Sequence, residues 1–400
     1  MKIGILTQPL QNNYGGLLQS YALQTILERM GHDVVILNRP MDKVKFSWSE
    51  TFRKDSIVYL KNAVKFVLRR PLTTIYHELL PEQRVVVNRF TEKFIQKHHH
   101  KSPDFYTTES LAEYAKQIGI EAFVVGSDQC WRPMYSPCLP NYFLDFAKDW
   151  NVKRLSYAAS FGVDTWELSS SETKVCASLA KMFNAISVRE SSAVDLCRKH
   201  LGVSAVHVVD PTMLLDKEDY NCLLDGFNSD VFNISSEHAL PNALTEKGKK
   251  LFCYVLDINA DKSRFINSVA KRKGLTPIFC MPKDYRAQEV FKKCPDLCTF
   301  PPVELWLQSF RDAEMVIADS FHGTVFSIIY NKPFWVLGNP GRGMARFHSL
   351  LKMFNLESRL VTSDMLDSLD FDAPIDWTVV NNRREELKEM ATNFLSEQLS

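Results

Sequence analysis

His322 lies in Asp319-Ser320-Phe321-His322-Gly323, a short polar turn between apolar runs. An imidazole can give and take a proton near neutral pH. Asp319, Ser320, Phe321 and Gly323 make up the rest of the turn. Residues 315–318 before the turn have strand length and composition, 325–330 read as a buried helix, and 333–337 as another buried strand. Strand, turn, helix, strand in so few residues is the pattern of a parallel α/β sheet. Ligands of such sheets bind at the carboxyl ends of strands, beside helix N-termini whose free N–H groups suit an anion. A satisfied core histidine is the plainer alternative. However, burying Asp, Ser and His between two apolar elements costs free energy unless they are partnered.

A second candidate cluster opens the chain. Residues 2–7 read as a strand, and 8–16 as a loop holding Asn12, Asn13, Tyr14, Gly15 and Gly16. A helix is expected from Leu17, with Gly31 closing it, and a strand over 33–37. The paired glycines would let backbone approach a ligand at the helix N-terminus, although the third glycine of a dinucleotide fingerprint is absent. Four further apolar runs, 122–125, 155–158, 185–188 and 206–209, end in small polar or charged residues: Gly126-Ser127-Asp128-Gln129, Ala159-Ser160-Phe161-Gly162, Arg189-Glu190-Ser191 and Asp210-Pro211-Thr212. That is how a parallel sheet lines a cleft. Ser191 is placed to cap a helix over 193–201. Arg189 could hold phosphate or carboxylate in bidentate fashion, or pair internally with Glu190 or Asp195. A glycine-rich loop, 338–343, carries Arg342, with Arg346 one helical turn on; these arginines would close over an anion or stay exposed.

The bulk numbers exclude several classes. The 400 residues suffice for two domains, and 45% hydrophobic with 24% charged residues is the composition of a soluble globular chain. A net charge of +1 gives no field that would recruit nucleic acid. Nine irregularly spaced cysteines fit reduced thiols better than a disulfide framework, and Cys294 and Cys298 make only a weak metal pair. No secretory leader is legible and no run approaches the roughly 20 apolar residues of a membrane span. A cytoplasmic protein is expected, with peripheral contact at the inner membrane face as an option. That option comes from 52–101, where two stretches alternate apolar with Lys and Arg residues at helical spacing. They read as solvated helices or as a basic amphipathic patch. The closing run His98-His99-His100 is read as solvated.

The ordered motifs resemble the polysaccharide pyruvyl transferase family. They are Asn12-Asn13-Tyr14-Gly15-Gly16 with 18–23, Val125 to Trp131, Tyr157 to Gly162, Ser187 to Glu190, Val209 to Thr212, and Asp319 to Phe326. The resemblance implies α/β architecture with two Rossmann-like domains facing across a cleft, as in GT-B glycosyltransferases, with a basic helical insert in the first. The expected divisions are 1–215 with the insert at about 52–101, 216–375, and a terminal helix in 376–400. It implies phosphoenolpyruvate as donor substrate, no cofactor and no metal. The implied acceptor is a sugar of a surface polysaccharide such as a capsule or exopolysaccharide, or of a lipid-linked precursor, receiving a pyruvate ketal. His322 is the implied catalytic acid/base, with Asp319 or Asp128 to orient it or the sugar. Asn13, Tyr14, Gly15, Gly16, Asp128, Gln129, Ser160, Arg189, Ser320, Gly323, Arg342 and Arg346 are the expected substrate-binding residues. Many family members carry an arginine where this chain has Ser320, so Arg342, Arg346 or Lys283 would have to replace it. A GT-B-like glycosyltransferase using a sugar nucleotide, with Asp284 or Glu289 gripping the ribose, and a non-catalytic glycan-binding relative are the competing readings.

Overall fold

The computed structural model describes residues 1–40, 79–228, 248–338, 343–361, 365 and 369–400. The first amphipathic stretch of the insert and Arg342 lie outside them.

Two parallel sheets form the molecule. The first contains β1 (Lys2–Leu6), β2 (Asp33–Ile36), β3 (Ala122–Val125), β4 (Lys153–Ala159), β5 (Ala185–Val188) and β6 (Val206–His207), in the order β2-β1-β3-β4-β5-β6. The second contains β7 (Lys250–Tyr254), β8 (Thr276–Ile278), β9 (Met315–Ala318), β10 (Phe334–Leu337) and β11 (Leu360–Val361), in the order β11-β10-β9-β7-β8. Helices cover both faces, so β3, β9 and β10 are buried at every residue, which is why they read as unbroken apolar runs. In each sheet the chain reverses its direction of growth once, between β1 and β3 and between β7 and β9. Such switch points leave a crevice at the carboxyl ends of the strands. The Asp128 loop follows β3, and the His322 turn follows β9.

The sheets are locked together by side chains. The Tyr14 hydroxyl donates to Pro301 O at 2.7 Å, and its ring stacks on Trp306 at 5.6 Å. Tyr220 meets Phe326 edge-on at 4.9 Å, and the Ser191 N–H donates to Ser349 Oγ at 2.7 Å. The helix Pro81–His98 straddles the two. Its Val87 O accepts from the Phe300 N–H at 2.9 Å, while Phe94 and His98 pack around Tyr21. Its Arg89 and Lys93 fold over Phe90, and Arg89 also pairs with Asp296, so part of the basic face is engaged within the chain.

Several local expectations are corrected. The first long helix runs Tyr14–Arg29, so Gly15 and Gly16 belong to its first turn rather than to the preceding loop. The helix after β9 runs Phe321–Ile329, which places His322 inside it. The helix Ser191–Leu196 begins after Glu190, and Ser191 is its first residue rather than its cap. The histidine run is solvated only in part: His100 is exposed and His98 half-buried, but His99 is 6% exposed, its Nε2 within 3.0 Å of both Ser20 Oγ and Leu17 O. Burial pushes its imidazole down to about 4, with its hydrogen bond to Leu17 O acting in the opposite direction. The terminal helix, Trp377–Leu399, returns to the first sheet's domain. Arg384 and Lys388 both pair with Asp216, and Lys153 reaches the Gln398 carbonyl. Met390 on this helix is 58% exposed.

Candidate active site

Ser320 is the N-cap of the Phe321–Ile329 helix; its hydroxyl accepts from the Gly323 N–H at 3.0 Å. That bond fixes the first turn and so the exit direction of His322. A β-carbon on Gly323 would lie 2.7 Å from Ser320 Oγ and 2.8 Å from Ala318 Cβ, so residue 323 must be small. Ser320 thus has a structural task, where the resemblance led us to look for an arginine.

Asp319 does not orient His322. Its carboxylate is wholly buried and accepts from the Leu256 N–H at 2.7 Å, the Asp257 N–H at 3.1 Å and Lys262 Nζ at 2.6 Å. It ties the loop after β7 to the end of β9. The carboxylate that faces His322 comes from the other domain: Asp210 Oδ2 lies 3.5 Å from His322 Nε2. Sequence reasoning quoted Asp210 within Asp-Pro-Thr but left it off the site, because its partner is 112 positions away in the chain.

Asp210 belongs to a buried charge cluster centred on Arg189, whose side chain is 1% exposed. Arg189 donates from Nη1 to Asp210 at 2.9 Å, from Nη2 to Asp128 at 3.1 Å and from Nε to Glu190 at 3.4 Å. Its guanidinium lies 4.3 Å above the Phe321 ring. The internal ion pair therefore holds, to three carboxylates, and Arg189 is not an open anion clamp. Burial works against its charge, and the three carboxylates outweigh burial and raise its pKa. Burial likewise works against charge on Asp210 and Asp128. For Asp210, His322 and Arg189 overcome it and hold the carboxyl well below the usual range. For Asp128, Arg189, His322 and Arg346 do the same. Glu190 goes the other way: burial raises it, and Arg189 and Ser160 only partly compensate. The Ser160 hydroxyl donates to Glu190 at 2.6 Å, so Ser160 braces the cluster from a fully buried position.

Asn13, Gly15 and Asp128 gather at the same place. Asn13 is exposed and its amide approaches Asp128 Oδ2 at 3.4 Å. Asp128 has a positive φ of 70°, a conformation that favours glycine, stabilised here by the Gln129 N–H donating to its Oδ1 at 2.9 Å. Gln129 itself is occupied by its neighbours: its carbonyl accepts from Gln8 and its side chain from Arg132. A β-carbon on Gly15 would lie 2.0 Å from His322 Nδ1; one on Gly16 would lie 3.0 Å from the Asn13 amide. Tyr14, expected at the substrate, is instead wholly buried in the contact between domains. From the second domain the helix Ala345–Met353 adds Arg346, buried beside this cluster. Burial and the charge of Arg189 lower its guanidinium to about 10, with Asp128 and Glu190 partly offsetting. Lys283 is exposed. Among the described residues no three His, Cys, Asp or Glu side chains could share a metal ion, and Cys298 is a buried thiol pushed up to about 11 by burial.

The sequence model of the family described as polysaccharide pyruvyl transferase matches residues 13–341, most of the chain. The chain belongs to the polysaccharide pyruvyl transferase family. As a pyruvyl transferase it is a transferase enzyme of polysaccharide biosynthesis, and the matched span contains Asp128, Arg189, Asp210 and His322. A search of curated proteins returned no match. Among solved structures, this pyruvyl transferase is similar to a UDP-GlcNAc 2-epimerase from Neisseria meningitidis bound to UDP-GlcNAc. The two share 10% identity over 100% of this chain and 99% of the other, with a TM-score of 0.50. It also matches the UDP-GlcNAc 2-epimerase from Methanocaldococcus jannaschii, at 11% identity over 96% and 92% of the two chains and a TM-score of 0.47. The first likeness establishes the fold, two Rossmann-like domains in a GT-B-like arrangement, and nothing of the substrate.

Proposed function

We propose that this transferase moves the pyruvyl group of phosphoenolpyruvate onto two hydroxyls of one sugar in a surface polysaccharide or its precursor, forming a cyclic ketal. The observation that carries this reading is the meeting of His322 with the Asp210–Arg189 cluster and with the buried guanidinium of Arg346, between the carboxyl ends of the two sheets. Phosphoenolpyruvate brings a carboxylate and a phosphate. Arg346 is buried beside Arg189, Asp128 and Glu190, where its guanidinium would share in holding such an anion, and the exposed N-terminal turn at Asn13 offers polar groups to the sugar.

The chemistry asks for proton transfer at each stage. C3 of the enol takes a proton and becomes a methyl group. One sugar hydroxyl adds to C2, the C2–O bond to phosphate breaks, and the second hydroxyl closes the ring on C2. Of the two hydroxyl protons, one balances the proton delivered to C3 and the other leaves with phosphate. His322 is the group placed to carry them, a role worth on the order of 10²–10⁴-fold in rate.

The test is incubation with phosphoenolpyruvate and a panel of methyl hexopyranosides, scored by phosphate release and by a product heavier than its acceptor by pyruvate less water. His322→Ala should abolish both. Transfer of a glycosyl unit from a sugar nucleotide, with phosphoenolpyruvate left intact, would overturn the donor assignment.

A further inference from the structure

Asp319, Asp128 and Asp210 could each serve His322, and the contacts separate them. Asp128 is engaged by Arg189, by the Gln129 N–H and by the Asn13 amide. Asp319, three residues before His322 in the chain, is engaged by two backbone N–H groups and by Lys262. Asp210, from the opposite domain, points Oδ2 at Nε2 from 3.5 Å. Asp210 is itself held from several sides. Its Oδ1 accepts from the Thr212 N–H at 3.1 Å and the Thr212 hydroxyl at 2.7 Å. Its Oδ2 accepts from Arg189 at 2.9 Å and the Ser127 hydroxyl at 3.2 Å. The other ring nitrogen, Nδ1, lies over the Cβ-less face of Gly15 in the first turn of the Tyr14–Arg29 helix.

An ionised carboxylate only accepts hydrogen bonds, so the nitrogen that faces it is the one that carries the proton. We infer that Asp210 is the positioning residue of His322: it fixes the neutral ring with its proton on Nε2 and leaves Nδ1 as the nitrogen that exchanges protons with substrate. The tautomer is inferred from Oδ2 facing a buried Nε2 that has no other hydrogen-bond partner among the described residues; the use of Nδ1 rests on the function proposed above. Because Asp210 and His322 sit on different domains, this tautomer exists only in the arrangement in which the two sheets face each other. The 3.5 Å separation is long for a hydrogen bond, as is common for catalytic contacts before substrate closes the site.

The competing role for Asp210 is purely structural, as a counter-ion to Arg189, and the two roles separate in a spectrum. The whole chain is labelled with ¹⁵N-histidine, and His322 is assigned by the loss of its signals in His322→Gln. Long-range ¹H–¹⁵N correlations under conditions where His322 is neutral should show Nε2 protonated and Nδ1 bare. Asp210→Asn should scramble or reverse that pattern while the other histidines keep theirs. A wild-type ring protonated on Nδ1, or an unaltered His322 pattern in a folded Asp210→Asn protein, overturns the inference. Should that variant fail to fold, the wild-type spectrum alone decides. In the transfer assay, Asp210→Asn should lower kcat by on the order of 10²-fold or more while KM for phosphoenolpyruvate stays within about threefold; an unchanged kcat overturns the positioning role. The spectrum needs no phosphoenolpyruvate. A chain with the expected tautomer that neither binds nor uses this donor would therefore refute the proposed donor without touching the Asp210–His322 pair.

Discussion

The imidazole of His322 occupies the space that a side chain on Gly15 would fill: a β-carbon there would stand 2.0 Å from Nδ1, 2.2 Å from Cγ and 2.7 Å from Cβ of the histidine. The first helix of one domain and the His322 ring of the other fit because residue 15 has no side chain. Gly15→Ala should therefore separate fold from function. Alanine is the better helix former, by about 1 kcal/mol in a helix interior. The clash reaches the histidine's own Cβ, so ring rotation alone does not relieve it. We expect a folded protein with pyruvyl transfer reduced at least tenfold, read by the transfer assay beside a thermal melt. Full activity would mean that the ring position seen here is not the working one.

Asp319 predicts the opposite phenotype. Removing a buried carboxylate that pairs with Lys262 and two backbone N–H groups strands all three partners. Breaking a buried ion pair from one side costs about 3–5 kcal/mol. Asp319→Ala should lower the unfolding free energy read from a urea titration by that much. Asp319→Asn should recover part of the loss while keeping the His322 tautomer.

The histidine that anchors the straddling helix sets an acid limit. His99 is neutral when folded, its pKa lowered to about 4 by burial, against a value near 6.5 in the unfolded chain. With the folded pKa below the unfolded one, its contribution is fully present above about pH 6.5 and is lost as the pH falls toward 4. The loss is on the order of 3 kcal/mol. Urea titrations across that window should show a steep fall in wild type and a shallower one in His99→Gln, which cannot take the proton. Parallel slopes would remove His99 as the cause.

Arg346 should govern donor binding. At a hundredfold excess over Kd a ligand stabilises the fold by about 2.7 kcal/mol, which a thermal shift reads directly. Phosphoenolpyruvate should raise the melting temperature of wild type and fail to raise that of Arg346→Ala, while Lys283→Ala behaves as wild type. A full shift in Arg346→Ala would move the anion site elsewhere.

Most strands were legible because burial on both faces leaves a continuous apolar run; β9 and β10 are the clearest cases. The helix starts were set too late at both Leu17 and Val325. The polar residues taken for loop, Asn13 and Ser320, are N-caps, and the residues after them already carry helical backbone. The site was half legible. His322, Asp128 and Gly15 follow apolar runs that the sequence marks as strands, and the structure brings the three to one place. The partner of the histidine was misassigned because Asp319 is near in sequence and Asp210 is near only in space. His99 misled for a related reason: three consecutive histidines look like surface, yet Ser20, Leu17 and Phe94 enclose the middle one.

The return of the Trp377–Leu399 helix to the first domain bears on how the chain is made. A ribosome delivers all the strands of the first sheet, then the whole second domain, before it delivers the helix whose Arg384 and Lys388 grip Asp216. During synthesis the first domain must wait with that seat open, and Asp216, at the start of the connection between domains, waits with it. Completion of the first domain thus waits until after the second has been made, and a nascent chain stalled before residue 377 would carry both sheets and still expose the surface that the helix is meant to cover.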